Sequence, residues 1–281
     1  MKPKLNHFRS IFVSDIHLGT RGCQAELLND FLKNHSCDNL YLIGDIIDGW
    51  RMKKKFFWAE SHNLVIRQVI NKQRHGSNII YVAGNHDEFL RPWLNHIAIE
   101  GIEIVDDYEH IGVDGKRYLV THGDLFDGVT KLAPWLSKLG DSAYDFLIWL
   151  NRHFNKARNL FGLRYWSLSA YLKKNVKKSL EFIFDFEKNL ADYCKAQGYD
   201  GVLCGHIHTG DIKHINGIVY MNDSDWVESC GCIVEDMNGN FIYHSYANGK
   251  LEPIKLLDIQ TNQILEGDAL TLFLEQRQAS Y

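Results

Sequence analysis

The chain is poor in the residues that mark several protein classes. Proline occurs only 4 times in 281 residues, so collagen-like and proline-rich low-complexity readings fail. Cysteine occurs six times (Cys23, Cys37, Cys194, Cys204, Cys230, Cys232), too few for a disulfide scaffold at this length. Cys230 and Cys232 form a C-x-C pair, but no second pair at zinc spacing accompanies it, and packed thiols are expected. No apolar run approaches the roughly 18 residues of a membrane-spanning helix, and the first residues lack an apolar signal-peptide core. These absences lead to the expectation of a reduced, cytoplasmic protein. Charge of one sign is lacking too. With 31 Lys and Arg against 35 Asp and Glu, the net charge is −4, which argues against a surface built wholly for nucleic acid.

Histidine, by contrast, is plentiful. Fourteen residues of this type make metal or acid–base chemistry worth seeking. The first half alternates strand and helix signals: strands at Ser10–Ser14, Leu40–Ile43 and Asn78–Ala83, helices at Gln24–Lys33 and Phe56–Arg74. That rhythm predicts a mainly parallel sheet, whose strands end along one edge. Each of the three strands runs into a cluster of Asp, Asn or His, on the edge where open α/β sheets bind ligands.

From Gly101 the texture changes to short strands with glycine-containing turns: Ile102–Val105, Tyr108–Val113, Lys116–Thr121, and later Gly201–Cys204, Ile212–His214, Ile218–Asn222, Cys230–Glu235 and Phe241–Tyr246. Asp114-Gly115, Asn216-Gly217 and Asn238-Gly239 are the turn signals. Two strand blocks with helices outside predict an α/β fold of two stacked sheets, an α-β-β-α sandwich. The whole chain, 1–281, is expected to be one domain with a helical insertion at about 130–197. Residues from Asp258 onward predict a helical or mixed tail. Oligomeric state is not legible.

The insertion differs in charge from its surroundings. Residues 151–188 hold nine Lys/Arg against three acids, a surplus of six, so the remainder of the chain carries −10. Aromatic residues interleave with these cations, Tyr165 beside Arg164 and Phe161 near Arg158 among them. Two readings stay open: a solvated basic face over an aromatic core, or a cap for an anionic, partly apolar ligand or an acidic membrane surface.

Five separated clusters carry the chemistry. They are Asp15-x-His17, Gly44-Asp45-x-x-Asp48, Gly84-Asn85-His86-Asp87, Thr121-His122-Gly123-Asp124 and Gly205-His206-x-His208, each at the end of a predicted strand. The glycines supply the backbone freedom of tight turns. Singly, none is strong; all five in one order, all at strand ends, are hard to reach by accident. Carboxylate oxygen, imidazole nitrogen and one amide oxygen, without thiolate, suit Mn²⁺, Fe or Zn²⁺.

With these five blocks the chain resembles the calcineurin-like metallophosphoesterases over about Ser10 to Asn222. The resemblance implies two divalent ions, Mn²⁺ foremost, with Fe or Zn²⁺ as alternatives. One would take Asp15, His17, Asp45 and His208; the other Asp45, Asn85, His122 and His206, with Asp45 shared. A carboxylate spanning two ions about 3.5–4 Å apart is the geometry of two-metal hydrolysis, with in-line attack by water on phosphorus. His86, the remaining member of its turn, is the candidate proton donor, and Asp87 a candidate to orient its ring. Asp48 and Asp124 are candidates either to orient a ligand or to cap a turn.

A finer resemblance is to the UDP-2,3-diacylglucosamine diphosphatases of lipid A biosynthesis. It rests on Val13–Leu18, Gly44–Trp50, Asn85–Leu90, Thr121–Asp124 and the helical insertion. It implies hydrolysis of a nucleotide-linked glycolipid to UMP and a sugar 1-phosphate, at the cytoplasmic face of the inner membrane. Trp50, Arg158, Arg164 and Tyr165 are then candidate substrate contacts, Trp50 being alternatively a core residue. The chain departs from the best-known members of that branch at His86, where they carry Arg, and Thr209 is not followed by their common Arg-Pro. A phosphohydrolase acting on another nucleotide, phosphodiester or phosphoprotein is the alternative, and a non-catalytic scaffold a more distant one.

Overall fold

The computed structural model describes residues 6–94, 101–126 and 168–278. The chain divides into two compact units, Met1–Phe126 with Asn189–Tyr281, and Asp127–Lys188. In chain order the first unit begins β1 (Asn6–Val13), α1 (Ala25–Asn34), β2 (His35–Ile43), α2 (Gly49–Lys54), α3 (Glu60–Arg74), β3 (Asn78–Val82), β4 (Glu103–Val105), β5 (Asp107–Ile111) and β6 (Arg117–Thr121). Helix α4 (Leu168–Ala196) starts in the second unit and ends in the first. It is followed by β7 (Gly201–Cys204), β8 (Asp211–Ile215), β9 (Ile218–Asn222), β10 (Gly231–Glu235), β11 (Phe241–Ala247), β12 (Lys250–Asp258), β13 (Gln263–Glu266) and α5 (Gly267–Gln278).

Two sheets result. The larger runs β13-β12-β11-β10-β1-β2-β3-β4 and the smaller β5-β6-β7-β9-β8. β1 to β4 are parallel neighbours, while β1 meets β10 antiparallel. In the smaller sheet β6, β7 and β9 are parallel and the edge strands antiparallel.

Successive side chains of a strand point to opposite faces, so a strand covered on both sides must be apolar throughout. β1, β2 and β3 obey this. Ile11, Val13, Leu40, Leu42, Ile79 and Tyr81 pack with Leu28 and Phe31 of α1 and Val65 and Val69 of α3. Their alternates Phe12, Tyr41, Ile43, Ile80 and Val82 pack against Tyr118, Val120, Leu203 and Met221 of the smaller sheet. Phe12 stacks on Tyr41 with ring centres 4.6 Å apart, and truncating such a core aromatic costs about 3–5 kcal/mol. On the far side of the smaller sheet the end of α4 is tied to the β8–β9 turn. There Lys195 Nζ donates to Asn216 O at 3.1 Å, and Asn216 Nδ2 donates to Asp192 Oδ1 at 2.8 Å. The order helix, sheet, sheet, helix is the expected sandwich.

One expected boundary needs correction: the predicted helix at Phe56–Arg74 begins only at Glu60, after an extended Ala59. The tail past Asp258 is mixed, as expected: β13 leads into α5, and β13 pairs with the unforeseen nine-residue β12. Pro253 disguises β12, and it sits where the β11–β12 register shifts at Tyr243/His244, since a bulge tolerates a residue with no N–H. All six cysteines are free; Cys230 and Cys232 are buried in the core beneath α1. No helix among the described residues is long and apolar enough to cross a membrane. Arg158, Arg164 and Tyr165 lie outside the described residues.

Candidate metal centre

The loops that leave β1 and β2 stay zipped past the strand ends. Asp15 N donates to Gly44 O at 3.1 Å, His17 N to Asp45 O at 2.8 Å, and Asp48 N to Leu18 O at 2.8 Å. This pairing carries Asp15, His17 and Asp45 forward as one rigid edge. The backbone is forced to do it: Asp15, His17, Asp45, His206 and His208 all have positive φ, between 48° and 71°. Left-handed geometry costs an L-residue about 1–2 kcal/mol, and such strain collects where side chains must converge. Close approach is the second device. A side chain at Gly205 would overlap Ser14 Oγ and Asp15 Oδ2, and one at Gly44 would overlap the His122 ring.

Asp45 is the hub. Its Oδ1 accepts the His86 backbone N–H at 2.8 Å and lies 3.4 Å from His122 Nε2. Its Oδ2 lies 3.8 Å from both His17 Nε2 and His86 Nε2. Asp15, fully buried, has Oδ1 at 2.9 Å from His208 Nε2 and 3.8 Å from His17 Nε2. Three triplets, Asp15/His17/His208, His17/Asp45/His86 and Asp15/Asp45/His122, each place their donor atoms within 4.8 Å of one another. Asn85 Oδ1 stands 3.2 Å from His122 Nε2, and the His206 and His122 rings are 5.1 Å apart. All seven expected ligands therefore meet at one end of the sandwich.

The donor chemistry fits divalent cations. Donors about 2.1 Å from one ion stand about 3–4 Å from each other, the spacing seen here. His17 Nε2 is buried and has no hydrogen-bond partner, although two carboxylates flank it. A buried polar atom left in that state is costly unless something binds it. The electrostatics agree. Burial opposes charge on His122, but Asp45 and Asp15 outweigh it and push the imidazole up to about 9. Desolvation is likewise overcome at His208, pushed up to about 9 by Asp15. Burial would raise Asp15, yet His208, His122 and His17 hold it far below the carboxylate range. The pocket draws positive charge.

Supporting contacts set ring orientation. His122 Nδ1 donates to Ile43 O at 2.9 Å, leaving Nε2 toward Asp45. Asp48 serves two rings at once: Oδ2 is 3.3 Å from His17 Nδ1 and Oδ1 is 3.0 Å from His86 Nδ1. Burial would raise Asp48, but these imidazoles and the Arg51 N–H hold it well below its ordinary value. Asp87 sits elsewhere than expected. It is fully buried, and its carboxylate accepts from Tyr81 OH, Ile46 N and Gly84 N, tying the loop after β3 to the loop after β2. Asp48, not Asp87, faces the His86 ring. Asp124 accepts from Arg91 Nη2 with both carboxylate oxygens, at 3.1 and 2.8 Å. Trp50 is 40% exposed, so it is not a core residue; its ring lies 4.4 Å from the His86 ring and its Nε1 donates to Glu88.

One segment went unforeseen. Asn222, the last residue of β9, and Asp223, Ser224, Asp225 and Trp226 after it are all at most 1% exposed. Asn222 Nδ2 donates to Gly205 O at 2.7 Å and Trp226 N to Asp15 O at 3.1 Å, bracing both the 205–208 loop and Asp15. The signal was available: a polar run at a strand's end, like the other clusters.

The family model described as calcineurin-like phosphoesterase matches residues 8–210, and the chain belongs to that family. It is thereby a phosphoester hydrolase, of a class that works with divalent metals. The chain is 24% identical over 241 residues to the UDP-2,3-diacylglucosamine hydrolase of Histophilus somni, covering 82% of this chain and 97% of that one. It is 25% identical over 244 residues to the protein of the same name from Neisseria meningitidis serogroup B, covering 80% and 90%. Among solved structures it is similar to Vps29 from Entamoeba histolytica, at 12% identity and a TM-score of 0.44, covering 92% of this chain and 98% of that chain.

Proposed function

We propose that the protein is a two-metal pyrophosphohydrolase that cleaves UDP-2,3-diacylglucosamine to UMP and 2,3-diacylglucosamine 1-phosphate. The observation that carries the metal reading is the unpartnered His17 Nε2 between the Asp15 and Asp45 carboxylates. Asp15, His17, Asp45 and His208 would hold one divalent ion, and Asp45, Asn85, His122 and His206 the other. When bound, such a pair supplies Lewis-acid polarisation of the phosphoryl oxygens and acidifies water at neutral pH.

The chain's own groups do the rest. His86 is held with Nδ1 against Asp48, so its Nε2–H is free to point at the reacting phosphoryl or leaving-group oxygen. Burial works against a charged His86, but Asp48 and Asp45 prevail and raise it above the ordinary histidine value. Trp50 walls one side of that ring and limits water access to it. His86→Ala is expected to leave metal bound while lowering kcat by roughly 10²–10⁴-fold, the usual worth of a general acid.

The substrate assignment draws on the two hydrolase relatives, whose length this chain nearly spans. The 127–188 unit, rich in Lys, Arg and aromatics, would act as the cap that receives acyl chains at the cytoplasmic membrane face. Arg158, Arg164 and Tyr165 are its proposed contacts. The test is an assay of purified protein on UDP-2,3-diacylglucosamine with Mn²⁺, following UMP. Turnover of a simple aryl phosphodiester with no UMP from the lipid would replace this substrate with a generic one. Full activity after exhaustive chelation would end the metal reading itself.

A further inference from the structure

Ser14 Oγ lies 2.6 Å from Asp15 Oδ2, 2.6 Å from Asp223 Oδ1 and 3.3 Å from Ser224 O. A serine hydroxyl has one hydrogen, so it can donate to only one of these oxygens at a time. Two carboxylate oxygens at such short range leave one contact without a hydrogen, unless a carboxyl brings its own. Asp15 is the poorer holder of that proton. Its Oδ2 also accepts the His206 N–H at 2.8 Å, and its Oδ1 faces His208 Nε2 at 2.9 Å. The His206 N–H already occupies one lone pair of Asp15 Oδ2, which leaves the other to accept the Ser14 hydroxyl. Asp223 is fully buried, its Oδ1 meets Ser14, and its Oδ2 has no hydrogen-bond partner.

We propose that Asp223 is a positioning residue that keeps its proton. It donates that proton to Ser14 Oγ, so that Ser14 in turn donates to Asp15 Oδ2 and holds the Asp15 carboxylate in place at the metal site. Burial and the neighbouring Asp15 charge push the Asp223 carboxyl well above its ordinary value, in agreement with the hydrogen count. Of the other titratable groups near it, Cys204, Cys232 and Tyr243 are themselves pushed up by burial, so they stay neutral, while His122 brings opposing positive charge. A second buried carboxylate beneath Asp15 would compete for the same cations. A neutral acid instead orients the ligand without adding charge.

The effect on metal rests on the proposed ligand role of Asp15; the proton itself does not, and the test separates the two. In the infrared difference spectrum of metal-free wild type against Asp223→Asn at pH 7, a protonated-carboxyl C=O band is expected in the wild type alone. Ser14→Ala, which leaves the carboxyl in place, should shift that band upward in frequency as its hydrogen bond is lost. By calorimetry with Mn²⁺, Asp223→Asn, which still offers a hydrogen to Ser14, should bind within about threefold of wild type. Asp223→Ala and Ser14→Ala should bind about 10–100-fold more weakly. Absence of the band, or of its shift in Ser14→Ala, would overturn the proposal. So would an Asp223→Asn protein that melts like wild type yet loses as much affinity as Asp223→Ala. Wild type that shows the band and binds no Mn²⁺ would remove the positioning role together with the metal centre.

Discussion

Two groups of polar side chains are buried in the larger unit, and they are satisfied in opposite ways. Glu235, fully buried on β10, accepts from Ser10 Oγ at 2.7 Å, pairs with Arg9, and lies 3.0 Å from His110 Nε2. His110 Nδ1 in turn meets Tyr41 OH at 2.9 Å. Both oxygens of the acid and both ring nitrogens have partners, and the group links the two sheets. At the carboxyl ends of the parallel strands, His17 Nε2 has none, and Asp15 and Asp45 approach imidazoles at up to 3.8 Å. A satisfied network holds a fold together, whereas an unsatisfied one is built for something that arrives later. Strain follows the same division. Of the ten residues other than glycine with positive φ, five are Asp15, His17, Asp45, His206 and His208, and none belongs to the Glu235 group.

Removing the hub of each group should break the comparison in opposite directions. Asp45→Ala is expected to lower kcat by about 10³-fold or more, the several kcal/mol that Lewis-acid stabilisation is worth. The metal-free protein should melt only slightly lower, by the loss of one acceptor for the His86 N–H and one partner of His122, about 1–3 kcal/mol, but the rise in Tm on adding Mn²⁺ should vanish. Glu235→Ala should do the reverse. It strands Arg9 and His110, and costs about 3–5 kcal/mol of stability by denaturant titration. Mn²⁺ affinity measured below the melting transition should stay unchanged. If Glu235→Ala weakened metal binding as Asp45→Ala does, the two clusters would be one network.

A third prediction uses pH on groups remote from the metals. Burial pushes His244 down to about 4 and also lowers His35, so both are neutral in the folded state. An unfolded chain binds these protons near 6.5, and between about 4 and 6.5 it therefore holds more protons than the native state. Stability should be fully present above pH 6.5 and fall as pH drops toward 4, by about 3 kcal/mol from His244. Metal-free protein melted across that range should show this slope, and His244→Asn should flatten it. An unchanged slope in the variant would assign the acid limb to the carboxylates of the metal site.

The two regions were unequally legible in the sequence. β1, β2 and β3 stand out because both faces are buried, so the apolar run is unbroken. The metal donors stand out because each follows such a strand within a few residues. The pairing of Ser14 with Asp223 was invisible: the two are 209 residues apart, and nothing in the run Val13–Leu18 or in the polar run after β9 points from one to the other. The Glu235 group was equally hidden, since Arg9, Tyr41 and His110 read as ordinary strand residues. β12 buries only its last few side chains and contains a proline, so no alternation betrayed it. Helix α2 has six residues, less than two turns, and no periodicity develops over that span. Sequence pattern reports what each element buries; it says little about which distant side chains share a proton.

The smallest expected effect is also the sharpest, because it separates holding the fold from holding the site within one side chain. Asp48 accepts the Arg51 N–H at 2.8 Å as the N-cap of α2, and it also faces His17 Nδ1 and His86 Nδ1. Asparagine caps helices as well as aspartate does, so Asp48→Asn should leave Tm nearly unchanged. It presents one oxygen where aspartate presents two, however, and at least one imidazole N–H loses its acceptor. Mn²⁺ affinity and kcat/KM are therefore expected to fall by about 10–100-fold, the usual consequence of removing a group that orients a ligand. A variant that melts lower while binding Mn²⁺ as wild type does would reduce Asp48 to a helix cap.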